Sequence, residues 1–295
     1  MVKLRLFLLL AFLSLPRTLS AGGPTVSASW SGGAVHLRWP GSGRVVIQRS
    51  TTPWSTQWEQ GPTARLPIKE TVLQGHDHFD DDSVASGVAY TYVLKPDGSS
   101  RSILKVSIPA QALAVSLHPQ IRINKANFGL EVWDGARMLK RYPVAMGATP
   151  WVRKLQFDNS STPEGRYKIV AAQPEATFYK ALDIDYPNTV DKARYQLLKP
   201  NTDIGSEIEI HGQGIDSNWT FGCVALRNSD MDEIFAHPEI AVGTPVWIYG
   251  GELTLADLQS DLPADPLELG TRQQTLGLKV TCLWDRATRA KLGKP

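Results

Sequence analysis

His211 and Cys223 stand twelve positions apart in the stretch HGQGIDSNWTFGCVALRN, each beside a glycine and just after a strand-like run. A thiol becomes a useful nucleophile when a base or a cation draws off its proton. His211 is the base nearest in sequence. Gly222 lets a substrate carbonyl approach the backbone closely, and backbone N–H groups at such a turn could hold an oxyanion. These residue types suit acyl transfer through a thioester. The two side chains meet only if the intervening segment loops back to the strand end, which spacing alone leaves open. The same pair also reads as a surface histidine and a small buried cysteine.

The chain has two cysteines, Cys223 and Cys282. An even number in an exported protein invites a disulfide. Against it, Cys223 sits in the site-like segment. Cys282 lies in LGLKVTCLW, where Leu276, Leu278, Val280, Cys282 and Trp284 alternate as on the apolar face of a strand. Free thiols are the expectation.

Export is read from the start of the chain. Lys3 and Arg5 precede an apolar run from Leu6 to Leu15, too short to span a bilayer comfortably, and the small residues Ser20 and Ala21 offer a cleavage point before Gly22-Gly23-Pro24. Residues 1–21 are expected to be a signal peptide, with no membrane span after its removal and the periplasm or cell envelope as destination. The rest of the 295 residues suffices for two ordinary domains, and an apolar content of 42% supports buried cores. A formal charge of +2 without a long basic run makes nucleic acid a poor partner. Of nine tryptophans, Trp39, Trp133 and Trp247 are expected to fill β cores.

Residues 24–108 read as all-β. Ala34–Trp39 and Arg44–Ser50 alternate around Pro40-Gly41-Ser42-Gly43, and Ala89–Lys95 and Arg101–Ile108 flank a second turn cluster from Lys95 to Ser99. Short strands at this spacing predict a sandwich. The run FDDDSVASGVAYTYVL, an acidic turn before a strand carrying Tyr90 and Tyr92, resembles a fibronectin type III domain. Such modules usually bind or space. His76 to Asp82, HDHFDDD, could hold zinc or calcium but lacks calcium-loop spacing, so no metal is expected. His36, His118 and His237 have no partner pattern. Residues 109–119 read as a linker.

A second, β-rich domain is expected over 120–250. Asp134-Gly135 between alternating runs predicts a hairpin within Gly129–Gly147. Arg166–Val170, Glu207–Gly212 and Thr244–Tyr249 are further strands. Asn228–Phe235 is a short helix capped by Asn228 or Ser229 and stopped by Pro238. Residues 251–295 form a C-terminal extension, with a helix around Thr254–Leu262. The fold class is mainly β with few short helices.

The order of motifs resembles the L,D-transpeptidase (YkuD-like) catalytic domain. His211-Gly212 at a strand end, Thr220-Phe221-Gly222-Cys223-Val224, then Asn228 and Asp230 follow that family's pattern. Gly243–Ile248, GTPVWI, is similar to its closing strand, Thr162–Tyr167 to its TPEG-Y segment, and Phe178–Asp191 to the Tyr-Pro-Asn stretch of one subgroup. Two positions depart. Phe221 stands where many members carry a second His, and Ala225 where many carry an Arg; a Gly-Cys-hydrophobic-Ala subgroup is similar at both.

The resemblance implies a cofactor-free cysteine acyltransferase acting on peptidoglycan stem peptides. Cys223 is then the nucleophile, His211 the base, the Gly212 carbonyl its orienter, and the Gly222 and Cys223 N–H groups the oxyanion donors. Pairing with His211 would make the thiolate available near neutral pH. Thr220, Arg227, Lys180, Asp183 and Tyr186 are the candidate substrate contacts. An amine acceptor gives cross-links; water gives hydrolysis, or release of a wall-anchored protein. A non-catalytic wall-binding module is the third reading, supported by Phe221 and Ala225.

Overall fold

The computed structural model describes residues 26–98 and 100–293. The leader read over 1–21 and the Gly22-Gly23-Pro24 start lie outside the described residues. Among the described residues no helix is long and apolar enough to cross a membrane.

The first strands, in chain order, are β1 (Ser27–Ser31), β2 (Ala34–Arg38), β3 (Val45–Ser50), β4 (Lys69–Leu73), β5 (His78–Asp81), β6 (Ala89–Pro96) and β7 (Ser102–Ser107). They form a three-stranded sheet β1-β2-β5 and a four-stranded sheet β4-β3-β6-β7. Period-2 alternation turns Val35 and Leu37 of β2, Ile47 of β3, and Tyr90, Tyr92 and Leu94 of β6 into one shared core. In the middle of the Asp80–Asp82 run, Asp81 is buried. Its carboxylate accepts from Arg49 Nη1 at 3.0 Å, Lys69 Nζ at 3.1 Å and Tyr92 OH at 3.1 Å. Burial alone would raise this carboxyl, but Arg49 and Lys69 outweigh it and hold the group well below the usual carboxylate range.

The second domain is one eight-stranded sheet of order β10-β9-β8-β15-β11-β12-β13-β14. Its strands are β8 (Pro119–Asn124), β9 (Gly129–Asp134), β10 (Arg137–Pro143), β11 (Gly165–Ala176), β12 (Tyr179–Ile184), β13 (Glu209–His211), β14 (Val224–Ala225) and β15 (Pro245–Tyr249). The Asp134-Gly135 hairpin forms as expected, with Gly135 at φ +57°. The first and last strands lie side by side: β8 runs parallel to β15, Ile121 opposite Val246. The helices are α1 (Thr189–Leu198), α2 (Asn228–Phe235), α3 (Leu255–Leu258), α4 (Pro266–Thr275) and α5 (Arg286–Leu292).

Several local expectations need correction. α2 has the expected bounds, but its N-cap is Arg227, without a side-chain cap; the Asn228 Oδ1 instead accepts from Gln213 N at 2.8 Å. The helix read over 254–262 is only α3, because its cap Thr254 leads into a single turn. Leu276–Trp284 is not a strand. Gln273 takes the place of a neighbouring strand there: its Oε1 accepts from Thr281 N and Cys282 N at 3.0 and 2.9 Å, and its Nε2 donates to Leu283 O at 3.0 Å. Cys282 is buried, as expected. Trp133 and Trp247 are only half-buried and lie against Arg122, Trp247 also packing on the Tyr249–Leu253–Leu258 cluster, whereas Trp39 is buried. The 109–119 segment is fixed: Leu113 is buried and donates to Glu233 Oε1 at 2.7 Å, and Ser116 N donates to Glu239 Oε1 at 3.1 Å.

The C-terminal residues pack on the second domain. Leu253, Leu258 and Leu283 join Tyr249 of β15, and Val280 and Cys282 join Ala193 of α1. Gly270 of α4 makes room, since a Cβ there would lie 2.5 Å from the Cys282 sulfur.

Candidate active site

β13 and β14 are parallel neighbours, with Ile210 opposite Val224 and His211 opposite Ala225. Cys223 directly precedes β14. Alternation along paired strands therefore puts Cys223 and His211 on one face, offset by two residues. Both cysteines are free, so Cys223 has no disulfide partner. Its sulfur accepts from Glu209 N at 3.5 Å and donates to Glu207 O at 3.6 Å. No hydrogen bond joins it to His211 among the described residues. Catalytic contacts of this kind commonly tighten only when substrate is bound.

His211 is buried, and its Nδ1 lies 2.8 Å from the Gly212 carbonyl. A carbonyl can only accept, so Nδ1 carries the proton and Nε2 is left as the proton acceptor. Burial lowers the imidazole pKa below its ordinary 6.5, partly offset by that hydrogen bond. His211 is thus neutral at pH 7, the form a general base needs. Gly212 permits the close packing: a Cβ there would meet Asn228 Oδ1 at 2.6 Å and Tyr179 Cβ at 2.9 Å.

The thiol departs from the expected resting thiolate. Burial pushes Cys223 up to about 11; the Glu209 N–H and Lys154 pull it down, while the Glu209 and Asp183 carboxylates raise it. The Asp183 and Glu209 Cα atoms are register partners between β12 and β13, so both charges flank the sulfur. Glu209 is itself raised, by burial and then by Asp183 and Glu207. At rest Cys223 is a protonated thiol, and any attack by its sulfur would first require that proton to leave.

The turn before Cys223 is tied by Thr220. Its Oγ1 donates to Cys223 O at 2.7 Å and accepts from Gly222 N at 3.2 Å. The Gly222 N–H is therefore already engaged. Gly222 sits at φ +139°, and a Cβ would lie 2.7 Å from Ser161 O and 2.9 Å from Ile208 Cδ1. Lys154, buried, donates to Phe221 O at 2.9 Å and Phe157 O at 3.2 Å. Phe221 itself is 74% exposed, so the residue in the second-His position projects to solvent.

The other sequence candidates divide. Lys180 pairs with Asp232 at 2.7 Å, and Asp183 accepts from Gln173 Nε2 at 2.7 and 2.8 Å. Arg227 binds Asp230 through two nitrogens, both at 2.7 Å, and Gly87 O of the sandwich at 3.1 Å, so its guanidinium is spoken for. Tyr186 belongs to the core and not to a groove: it is buried, donates to Ile204 O at 2.9 Å and packs against Tyr167. In the His76–Asp82 stretch, His78 binds Asp77 and His36 binds Asp80, and no metal-holding group of three such residues occurs among the described residues.

Sequence reasoning missed the walls of the base. Phe178 lies 4.9 Å from the His211 ring at 31°, and Trp219 lies 5.4 Å from it at 62°, with 5.3 Å between the two aromatics. Trp219 was in plain view inside the motif, but a ring's identity does not say which neighbour it faces. Lys154 and Asn218 gave no signal at all.

YafK of Escherichia coli (strain K12), named as an L,D-transpeptidase, is 28% identical over 145 residues, covering 47% of this chain and 54% of YafK. The chain thus spans about half the length of the curated relatives it matches. Among solved structures, an L,D-transpeptidase from Xylanimonas cellulosilytica is 13% identical with a TM-score of 0.32, covering 48% of this chain and 64% of that one. L,D-transpeptidase 1 of Mycobacterium tuberculosis is 10% identical with a TM-score of 0.30, covering 61% and 77%. Residues 118–248, with His211 and Cys223 among them, match the model of the YkuD family, the L,D-transpeptidase catalytic domain.

Proposed function

We propose that this protein is an exported cysteine acyltransferase of the L,D-transpeptidase type, acting on peptidoglycan stem peptides. What supports the reading is one observation above others: within a segment that matches the YkuD model, Cys223 and a neutral His211 share a face of adjacent parallel strands. The leader-like residues 1–21 support export to the periplasm or cell envelope.

In the first step the Cys223 sulfur attacks an amide carbonyl of the stem peptide while its proton passes to His211 Nε2. A C–S bond forms and the oxyanion is held by the Cys223 N–H; we assign the main role to this donor because Thr220 already occupies the Gly222 N–H. The C–N bond then breaks as His211 returns the proton to the leaving amine, which yields a thioester. In the second step an acceptor amine attacks, His211 takes its proton, the C–S bond breaks, and His211 passes the proton to the departing sulfur, restoring the thiol and the neutral imidazole. The Gly212 carbonyl holds the imidazole in the required tautomer throughout. Residues 24–108 act, on this reading, as a fibronectin type III-like module carried beside this domain.

Incubation with purified tetrapeptide muropeptides followed by mass spectrometry tests the reading. Cross-linked dimers that vanish in Cys223→Ala are the expected result. Shortened monomers would instead assign hydrolysis, and absence of any Cys223-dependent product would reject catalysis.

A further inference from the structure

We infer that Asn218 is a positioning residue, through which the N-terminal sandwich sets the loop that walls His211 and leads into Cys223. The inference rests on the reading of Cys223 and His211 as nucleophile and base.

Asn218 lies in the connection between β13 and β14 and is buried. Its backbone N–H donates to Arg65 O at 2.5 Å, and its Nδ2 donates to Leu66 O at 3.2 Å. Both acceptors belong to the sandwich, just before β4. Its Oδ1 accepts from Met146 N at 3.0 Å, in the second domain. One buried side chain thus joins two domains to one loop. Arg65 sits at φ +53°, a left-handed conformation that a residue with a side chain holds only when its surroundings fix it. Two consecutive carbonyls meet Asn218 there.

The neighbours of Asn218 carry the consequence. Trp219 follows directly, stacks edge-on against His211, and donates from Nε1 to Gly214 O at 3.3 Å. Thr220 comes next; its N–H donates to Met146 O at 3.4 Å, and its hydroxyl ties the Gly222-Cys223 turn. The base's wall and the nucleophile's turn therefore lie within a few residues of the anchor. The sandwich grips the same loop a second time, where Thr52 Oγ1 donates to Asp216 O at 3.3 Å.

A spacer module would need only docking bonds outside the site, and the interface has those as well. Arg141 Nη1 donates to Asp82 O at 2.7 Å and Val84 O at 3.2 Å, and Arg49 Nη2 to Asn127 O at 2.6 Å. The bonds to Asn218 are different in kind, because they end in the loop that shapes the reacting groups. A side chain held at both ends by packed partners is how a rigid scaffold keeps a catalytic group within a fraction of an ångström of its working place.

The test uses the full chain with Asn218→Ala, Asn218→Asp and a control, Arg141→Ala, which loosens docking without touching the loop. The readouts are the His211 Cε1–H resonance, displaced by the ring currents of Phe178 and Trp219, and kcat and KM on stem peptide. Asn218→Ala should move the His211 resonance toward that of free histidine and lower kcat by about tenfold or more, with KM little changed. Asn218→Asp keeps the acceptor for Met146 N but loses the donor to Leu66 O, and should give an intermediate shift. Arg141→Ala should leave both readouts as in the parent. An unmoved His211 resonance in folded Asn218→Ala overturns the inference; if that variant does not fold, the same result in Asn218→Asp does so. The resonance needs no turnover, so a parent protein inactive on stem peptides would reject the proposed function separately.

Discussion

The backbone N–H of Glu209 donates to the Cys223 sulfur at 3.5 Å, while the Glu209 carboxylate acts on the same thiol in the opposite sense. The first contact favours thiolate; the second, with Asp183 behind it, disfavours it. Burial adds to the disfavouring side and is the largest influence. A site of this kind keeps its nucleophile protonated until a base acts, which limits side reactions of an exposed thiolate.

Glu209→Gln separates the two effects, because glutamine keeps the backbone N–H and drops the charge. The thiol pKa should fall from about 11 toward its ordinary value, so alkylation by iodoacetamide at pH 8 should speed up several-fold. The pH–rate profile of alkylation gives the midpoint directly. A midpoint unchanged from the parent would mean that the Glu209 carboxylate does not act on the thiol and that burial and Asp183 account for its rise.

On the proposed mechanism His211 sets the acid side of the pH profile. Burial lowers its pKa, and the neutral imidazole is the working form, so kcat/KM should rise with pH through a midpoint below 6.5. His211→Gln should remove that limb and lower kcat about 10²–10⁴-fold. An acid limb centred above 6.5 would show that the imidazole is not held in its low-dielectric wall of Phe178 and Trp219.

How far the sequence carried the reading depended on whether a feature was local. His211, Gly212, Gly222 and Cys223 were legible because their types are rare in combination and adjacent along the chain. Several strands were legible from period-2 patterns such as Val35 and Leu37 of β2, whereas the run read over Glu207–Gly212 shortens to β13 because Glu207 is left-handed at φ +57°. The failures involve partners distant in sequence. Leu276–Trp284 alternates like a strand, yet Gln273 side-chain bonds and the left-handed Cys282 (φ +55°) replace any ladder. α4 went unread, and Gly270 within it is where the missing Cβ admits the Cys282 sulfur and Leu197. Tyr186 reads as a groove residue by motif order and is core by packing against Tyr167. Asn218 has no local signature, since its meaning lies in Arg65 and Leu66 across the domain boundary.

Gly222→Ala probes the nucleophile's turn. At φ +139° any side chain is strained, and the new methyl would press on Ser161 O, a backbone atom that cannot swing aside. The turn must shift, and Cys223 shifts with it. A misplacement of about 1 Å can cost around 10²-fold in rate, so kcat should fall by about that factor while the far-UV spectrum and the melting temperature of the sandwich stay close to the parent's. Parent-like turnover would show that the turn tolerates the methyl and that its geometry is not what orients the sulfur.

Glu164 connects this turn to the C-terminal residues. It is fully buried, accepts from Lys125 Nζ at 2.7 Å, and receives the N–H of Glu252 at 2.9 Å and of Leu253 at 2.6 Å. Two residues earlier Thr162 accepts from Gly147 N at 3.1 Å, and Ser161 lies against Gly222. Glu164→Ala leaves the Lys125 ammonium buried with only the Val152 and Thr162 carbonyls, and removing one member of a buried pair costs about 3–5 kcal/mol. The loss should depend on pH. Burial already depresses Lys125 below its ordinary 10.5 against the pull of Glu164, and without that carboxylate it falls further. Between the folded and unfolded values the unfolded chain binds the extra proton, so stability rises with pH across that interval. Urea titrations at about pH 7 and about pH 9.5 should therefore show the variant regaining part of its deficit at the higher pH, where a neutral amine is buried at lower cost. A deficit that stays constant or grows with pH would mean that Lys125 follows Glu164 out of the core, and that the carboxylate's bonds to Glu252 and Leu253 alone account for the loss.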